Sequence, residues 1–270
     1  MNVFAFLDVE DPWIAWLVYR AEMVALTTVS EQALSLWHTK YLRDAVGQGG
    51  RVPYYRTELE IDRVRSGSFP QKVSRLSGLY FFEDVASARR AGRRWDGNFR
   101  EDHLAEIELI GQYGLSRYDS EWISQQMGSG DWSWITDYLS GHPQGTEPLW
   151  ELLVEGRDYV LGTDLRERAY EVVSREWPES LPLLEFARLA VELGSDLGLI
   201  VPMLTVDGNV ARVRAAMDMR DARNPEFLSR LESYVKNGEG PVNFADLRRG
   251  FGGGEMRAPD LGDRFFEFTM

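Results

Sequence analysis

The chain has 270 residues, 44% hydrophobic and 27% charged, with nine Trp, three His and no Cys. This is a globular composition, sized for one large domain or a catalytic core with helical additions, and far from a disordered chain. A net charge of −13 disfavours a general grip on nucleic acid or anionic membrane, and the absence of Cys excludes disulfides, thiolate metal sites and a Cys nucleophile.

The N-terminus, MNVFAFLDVEDPW, lacks a basic region, a long apolar segment and a small-residue cleavage site. No window approaches 18 uncharged apolar residues. A soluble, cytoplasmic protein is expected, or one delivered into a target cell. Only His38, His103 and His142 are present, too few and too scattered for a multi-His metal centre.

Residues 1–9 predict a short strand. Asp11-Pro12 predicts a helix start, with Pro at the first helical position. The stripe Trp13, Trp16, Leu17, Arg20, Met23 carries that helix through about Leu26. Ser30 predicts the N-cap of a second helix. Its apolar positions, Ala33, Leu34, Leu36, Trp37, Tyr41, Leu42 and Val46, recur at three and four, until Gly47, Gly49 and Gly50 end it. His38 lies beside this stripe and reads as a surface or packing residue.

Residues 52–57, VPYYRT, read as a strand carrying Arg56, followed by a helical turn with Leu59, Ile61 and Val64 and a loop over 67–70. Residues 79–82 predict a buried strand. Asp84 caps the helix after it, from Val85 to about Trp95, with a turn at Asp96-Gly97-Asn98. Residues 104–110 alternate as a strand, with Glu106 and Glu108 on one face. Two carboxylates so placed suit acid–base work or a solvated strand face. A Gly- and Tyr-bearing loop and two short helices, 120–127 and 131–140, follow. The runs 149–154 and 158–161, broken at Glu155-Gly156, predict two strands joined by a turn.

Helices are expected over 164–176 and 181–193. Residues 199–206 and 210–217, around Asp207-Gly208-Asn209, predict a hairpin. Asn224-Pro225 opens a helix to about Lys236, with Phe227, Leu228, Leu231 and Val235 facing inward. The Gly-rich tail from Asn237 reads as loop, and its end, 264–268, as a docking strand.

The phosphate-binding Gly-Lys-Ser/Thr loop, the Gly-rich dinucleotide fingerprint and the Gly-x-Ser-x-Gly elbow are all absent. What remains is a set spread over three predicted strands. Arg56 and Thr57 leave the first, Ser74 and Arg75 precede the second, which delivers Tyr80 and Phe82, and Glu151 opens the third. The middle piece, SRLSGLYFFEDVASARRAG, is an apolar strand ending in Phe-Phe, an acidic cap and an Ala-bearing helix. The late piece follows Glu-x-Leu-x-x-Gly-x-x-x-x-Val at Glu151, Leu153 and Gly156, with Leu161 in the last place and Val160 one place early.

In this order the chain resembles the ADP-ribosyltransferase-like superfamily over residues 51–162. It also resembles a branch of it with a Tyr-His-Arg-Thr start, Tyr55 standing where that His would be. The resemblance implies an α+β fold with a split-sheet core at 51–162, a helical N-terminal region at 1–50 and an α/β extension at 163–270. It implies NAD as substrate, bound by Arg56, Thr57, Ser74, Arg75, Tyr80 and Phe82, with Arg56, Tyr80 and Glu151 as the catalytic set. A guanidinium suits the pyrophosphate, an aromatic face suits the nicotinamide, and a carboxylate stabilises the positive charge that builds on the ribose. Tyr55 is a second stacking candidate, Trp132, Trp134 and Tyr138 are cleft walls or core, and His142 is a candidate for substrate contact. The acceptor is a macromolecule, protein or nucleic acid, or else water. The cluster Arg89, Arg90, Arg93, Arg94 fits a nucleic-acid acceptor or a solvated helix face. The alternative from another class is a catalytically silent relative that binds or inhibits a basic partner through its acidic surface.

Overall fold

The chain enters its main sheet at once. Val3 and Ala5 alternate inward on β1 (Asn2–Phe6), which pairs antiparallel with β4 (Leu104–Asp119). The structure, a computed structural model, describes residues 1–25, 32–47, 52, 54–95, 99–237, 256–261 and 265–270. The Ser30 cap, Gly49 and Gly50, the 96–98 turn, the Gly-rich stretch 238–254 and Arg264 lie outside the described residues.

After β1 comes α1 (Pro12–Arg20), with Asp11 accepting the Trp13 N–H at 2.9 Å and Pro12 in the first turn. Every residue of α1 except Tyr19 is buried, so it lies between the main sheet and the helices α7 (Thr163–Glu176) and α8 (Leu181–Glu192). The expected stripe to Leu26 stops early. Ala21 turns left-handed at φ 78°, and Glu22–Val24 becomes β2, paired with β5 (Trp150–Val160). The partner strand overrides the helical periodicity there.

Two further expectations fail for the same physical reason. The strand expected over 104–110 continues to Asp119 through bulges at Leu109/Gly111 and Gln112/Gly114. A bulge inserts an unpaired residue and bends the strand without ending it. The turn expected at Glu155-Gly156 does not form either, because Gly156 pairs with Gln112 and β5 runs unbroken for 11 residues. A third expectation fails more consequentially. Residues 52–57 do not form a strand: α3 (Tyr55–Ser68) begins inside them and buries Tyr55, Thr57, Glu58 and Ile61. Burial at Tyr55, Glu58 and Ile61 is a helical spacing, and it outweighs the local β preference of the aromatic run.

The main sheet runs β1-β4-β5-β2, with β3 (Leu79–Phe81) also on β5. Phe82, just past β3, bridges Phe4 of β1 in both directions at 2.8 and 2.9 Å. A second antiparallel sheet orders β6 (Ile200–Asp207), β7 (Val210–Met217) and β8 (Phe266–Thr269). The expected hairpin joins β6 to β7, with Gly208 at φ 59°. Residues 32–34 lie along β6, and α2 (Leu36–Gly47) follows. Asp84 caps α4 (Val85–Arg94) as expected, accepting the Ser87 N–H at 2.7 Å. Helices α5 (Glu121–Gln126), α6 (Ile135–Ser140) and α9 (Pro225–Asn237) complete the described elements. On α9 Phe227 is buried, but Leu228 points outward, against expectation. Segregated helices on antiparallel sheets make this an α+β fold. No helix among the described residues is long and apolar enough to cross a membrane.

Asp119 fixes the junction that delivers β5. It is fully buried at the end of β4. Its Oδ1 accepts the N–H of Leu149 at 2.8 Å and of Glu121 at 3.1 Å, and its Oδ2 accepts the N–H of Gln144 at 2.8 Å. Asp119→Ala strands those three donors and is expected to cost about 2–4 kcal/mol, read as a shifted urea midpoint with an unchanged slope.

Candidate functional site

The site begins with a tight turn before β3. Gly78 donates its N–H to Ser74 O at 2.8 Å. A Cβ on Gly78 would lie 2.7 Å from Ser74 O and from Val73 Cγ1, so only glycine lets the chain close this turn. Ser74 Oγ donates to Asp62 Oδ1 of α3 at 2.6 Å, which pins the turn to the helix. The side chain of Arg75, between these anchors, is driven inward.

Four elements meet it there, α3, β3, α6 and β5, and α2 adds His38 beside Glu58 and Tyr80. Arg75 donates from Nε and Nη2 to Glu58 Oε2 and Oε1 at 2.9 and 3.0 Å, a bidentate pair. Its Nη1 donates to Glu151 Oε1 at 2.8 Å and to Tyr138 OH at 2.7 Å. Tyr138 OH in turn donates to Glu151 Oε1 at 2.9 Å. Among the described residues Glu151 Oε2 has no hydrogen-bond partner. Tyr80 OH donates to Arg75 O at 2.7 Å, and its ring lies 5.4 Å from the guanidinium. His38 places Nε2 3.4 Å from Glu58 Oε1, and its Nδ1 lies 3.1 Å from Ser35 Oγ and 3.5 Å from Tyr80 OH.

The alternation of β5 explains why Glu151 reaches this cluster. Glu151 and Leu153 face α6 and the turn, while Leu152 and Val154 enter the main core on the other face. Arg75, Glu58, Glu151, His38 and Tyr138 are all buried to 5% exposure or less, and Tyr80 is half-buried.

Burial penalises every charge here, and the two carboxylates resolve that penalty in opposite ways. Burial alone would raise Glu58, but the guanidinium of Arg75 and the imidazole of His38 outweigh it and hold the carboxyl well below the usual range. Glu151 receives one N–H from Arg75 where Glu58 receives two. Burial therefore wins, and its carboxyl sits above the ordinary value, with Arg75 and Tyr138 only partly offsetting the shift. Burial also raises the Tyr80 and Tyr138 hydroxyls well above their usual value. Two carboxyls on one cation, pushed apart in this way, form an acid-biased and a base-biased pair.

The structure thus brings Arg75, Tyr80 and Glu151 together, with Ser74 in the supporting turn. Thr57 sits beside this group on α3, where its Oγ1 donates to Met127 O at 3.2 Å and accepts Trp132 Nε1 at 3.3 Å. Arg56 and Phe82 do not join. Arg56 is exposed on the outer face of α3 and donates to Asn209 Oδ1 at 2.7 Å, because the helix turns it away from Tyr55 and Glu58. Phe82 packs with Phe4, Phe6 and Leu104 in a separate cluster under α4. His142 is exposed, 3.4 Å from Asp137, and Glu106 is exposed and accepts from Asn2. Arg89 and Arg94 pair with Glu101 and Glu121, and Arg90 donates to Pro148 O.

Three contributors were not legible as a site in the sequence. Glu58 follows the expected strand 52–57, which separated it from Tyr55; on the helix it stands one turn after Tyr55. His38 reads in the sequence as a surface or packing residue, and Tyr138 as a cleft wall or core. Among the described residues no three His, Asp or Glu side chains are grouped to hold a metal ion. Compared with protein-family models and with curated proteins, the chain matches none.

Proposed function

We propose that the chain moves ADP-ribose from NAD onto a macromolecular acceptor, protein or nucleic acid, or onto water. One observation carries this: Arg75, Tyr80 and Glu151, expected from separate segments of an ADP-ribosyltransferase-like core at 51–162, share one hydrogen-bonded cluster. In this assignment Arg75 takes the pyrophosphate and Tyr80 stacks the nicotinamide. The bond between nicotinamide nitrogen and ribose C1′ breaks, and nicotinamide leaves with the electron pair. The Glu151 carboxylate, through the Oε2 that has no hydrogen-bond partner among the described residues, faces the positive charge that develops on the ribose. The acceptor then bonds C1′ and gives up its proton. Arg56 and Phe82 fall outside this assignment, and Glu58 and His38 enter it.

Glu151→Gln keeps the shape and removes the charge. It is expected to lower nicotinamide release by about 10²–10³-fold while the protein stays folded. Because burial raises the Glu151 carboxyl, activity should climb as pH rises through its titration. A wild type that releases no nicotinamide with any cell lysate, or a variant at full activity, sinks the proposal.

A specific observation favours a second assignment, a catalytically silent binding or inhibitor protein. Four of the five Arg75 N–H donors are already taken, and the cluster is buried. With a net charge of −13 the natural partner of such a protein is basic. Calorimetry separates the two: no heat with NAD, together with tight capture of a basic protein, supports the second.

A further inference from the structure

An anionic ligand would seek Arg75, and Glu58 already occupies it. We propose that Glu58 is a positioning residue that is exchanged for the phosphate of an incoming nucleotide, turning from Arg75 toward His38 and Tyr55 as the ligand enters. This rests on the assignment of Arg75 as the phosphate-binding group.

Three observations carry it. First, Glu58 holds the guanidinium through the Nε and Nη2 pair at 2.9 and 3.0 Å, the fork that a phosphate also uses. Carboxylate and phosphate therefore compete for the same two donors. Second, Glu58 has a partner on its other side. Its Oε1 is 3.4 Å from His38 Nε2, so releasing Arg75 does not strand the carboxylate in apolar surroundings. Third, the phenol whose ring borders His38 carries an unused donor among the described residues. Tyr55 stands one helical turn before Glu58, its ring edge-on to His38 at 6.2 Å, and its hydroxyl is fully buried without a hydrogen-bond partner among the described residues. A buried hydroxyl left unpaired is a standing cost that a second position of the Glu58 carboxylate would relieve.

Glu58 thus has two sets of partners: Arg75 in the arrangement seen here, and His38 with Tyr55 in the other. Arg75 stays neutralised throughout, first by Glu58 and then by phosphate. Apparent affinity is reduced by the fraction of molecules in which Glu58 has turned away. Weakening the first set of partners should tighten ligand binding, and weakening the second should loosen it. A purely structural Glu58 predicts neither.

The test uses pyrophosphate as the probe, by calorimetry on the full chain. Glu58→Gln is expected to bind it about tenfold more tightly than wild type. Tyr55→Phe removes only a hydroxyl that has no hydrogen-bond partner among the described residues. It is expected to bind pyrophosphate several-fold more weakly than wild type, with thermal stability unchanged or raised. Equal or weaker binding by a folded Glu58→Gln overturns the exchange, as does an absence of binding by wild type and variant alike. If Glu58→Gln does not fold, Tyr55→Phe decides alone, and unchanged affinity overturns it. Nicotinamide release, followed in parallel, separates this from the reaction. Tighter pyrophosphate binding without any release removes the transfer and leaves the exchange. Release with an unchanged KM for NAD in Glu58→Gln removes the exchange and leaves the transfer.

Discussion

Arg75→Met is expected to destabilise the fold by about 3–5 kcal/mol, the usual cost of removing one partner from a buried ion pair. Methionine keeps the length and apolar stem, so the loss isolates the guanidinium. Without it, among the described residues, Glu58 retains only His38 and Glu151 only the Tyr138 hydroxyl, both carboxyls 5% exposed or less. Stranded charge, not lost attraction, sets the magnitude, and a second variant shows this. Arg75→Met combined with Glu58→Gln should be more stable than Arg75→Met alone, because it removes the charge that was left without its cation. Urea unfolding followed by tryptophan fluorescence reads both.

The pH dependence has a definite sign. In wild type the Glu58 carboxyl lies well below the unfolded value. Its contribution to stability is therefore present above the unfolded pKa and is lost only as pH falls through the low folded one. In Arg75→Met the same carboxyl is buried without its guanidinium, so its folded pKa moves up instead. The variant should then regain stability relative to wild type as pH falls toward about 4, near the unfolded Glu value. A loss below about 1 kcal/mol with no such recovery at low pH would mean that the cluster is solvated, as exposed pairs are.

The parts of the fold that could be seen in the sequence are those set by near neighbours. Asp11-Pro12, Asp84 and Asp207-Gly208-Asn209 each act over one turn, and each starts or joins the element expected of it. The parts that could not be seen depend on a distant strand. Ala21 leaves the helix because β5 offers β2 an edge, and Gly156 stays extended because Gln112 lies opposite. The site divides along the same line. Arg75 stood out as a cation among Ser and Gly before an apolar strand, and Glu151 as a carboxylate opening one. Arg56 faces away from the cluster because VPYYRT, locally strand-like, becomes the start of a helix through burial of Tyr55, Glu58 and Ile61. The helix turns Arg56 outward and Glu58 inward, where a strand would have set them on one face. His38 lies 20 positions from Glu58, and Tyr138 lies 63 from Arg75. No spacing within the sequence announces either contact.

Asp158 is expected to make the wild type lose stability as pH rises, and Asp158→Asn to abolish that loss. The residue lies fully buried near the C-terminal end of β5, where β2 pairs with it. Its Oδ1 accepts the Met23 N–H at 3.2 Å, and its Oδ2 has no partner among the described residues. The nearby cation is already engaged: Arg157 grips Glu22 through two bonds of 2.8 Å and Asp196 at 2.7 Å. Burial therefore raises the Asp158 carboxyl well above its usual value, and the charge of Glu22 adds to the shift. A folded pKa above the unfolded one means that folding takes up a proton. The stabilising contribution is complete below the unfolded pKa of about 3.9 and is lost as pH rises through the folded pKa. Between those limits the slope is about −1.4 kcal/mol per pH unit. Asparagine can keep the acceptor for Met23 and has no proton to lose. Wild type and Asp158→Asn should converge toward pH 4 and separate as pH rises, with the variant the more stable. Glu151 is also raised, but it titrates in both proteins and cancels in the difference. Urea midpoints taken from acid to mildly alkaline pH make the comparison. Parallel profiles would mean that Asp158 is ionised in the fold and that solvent reaches Oδ2 through the seam between β2 and β5.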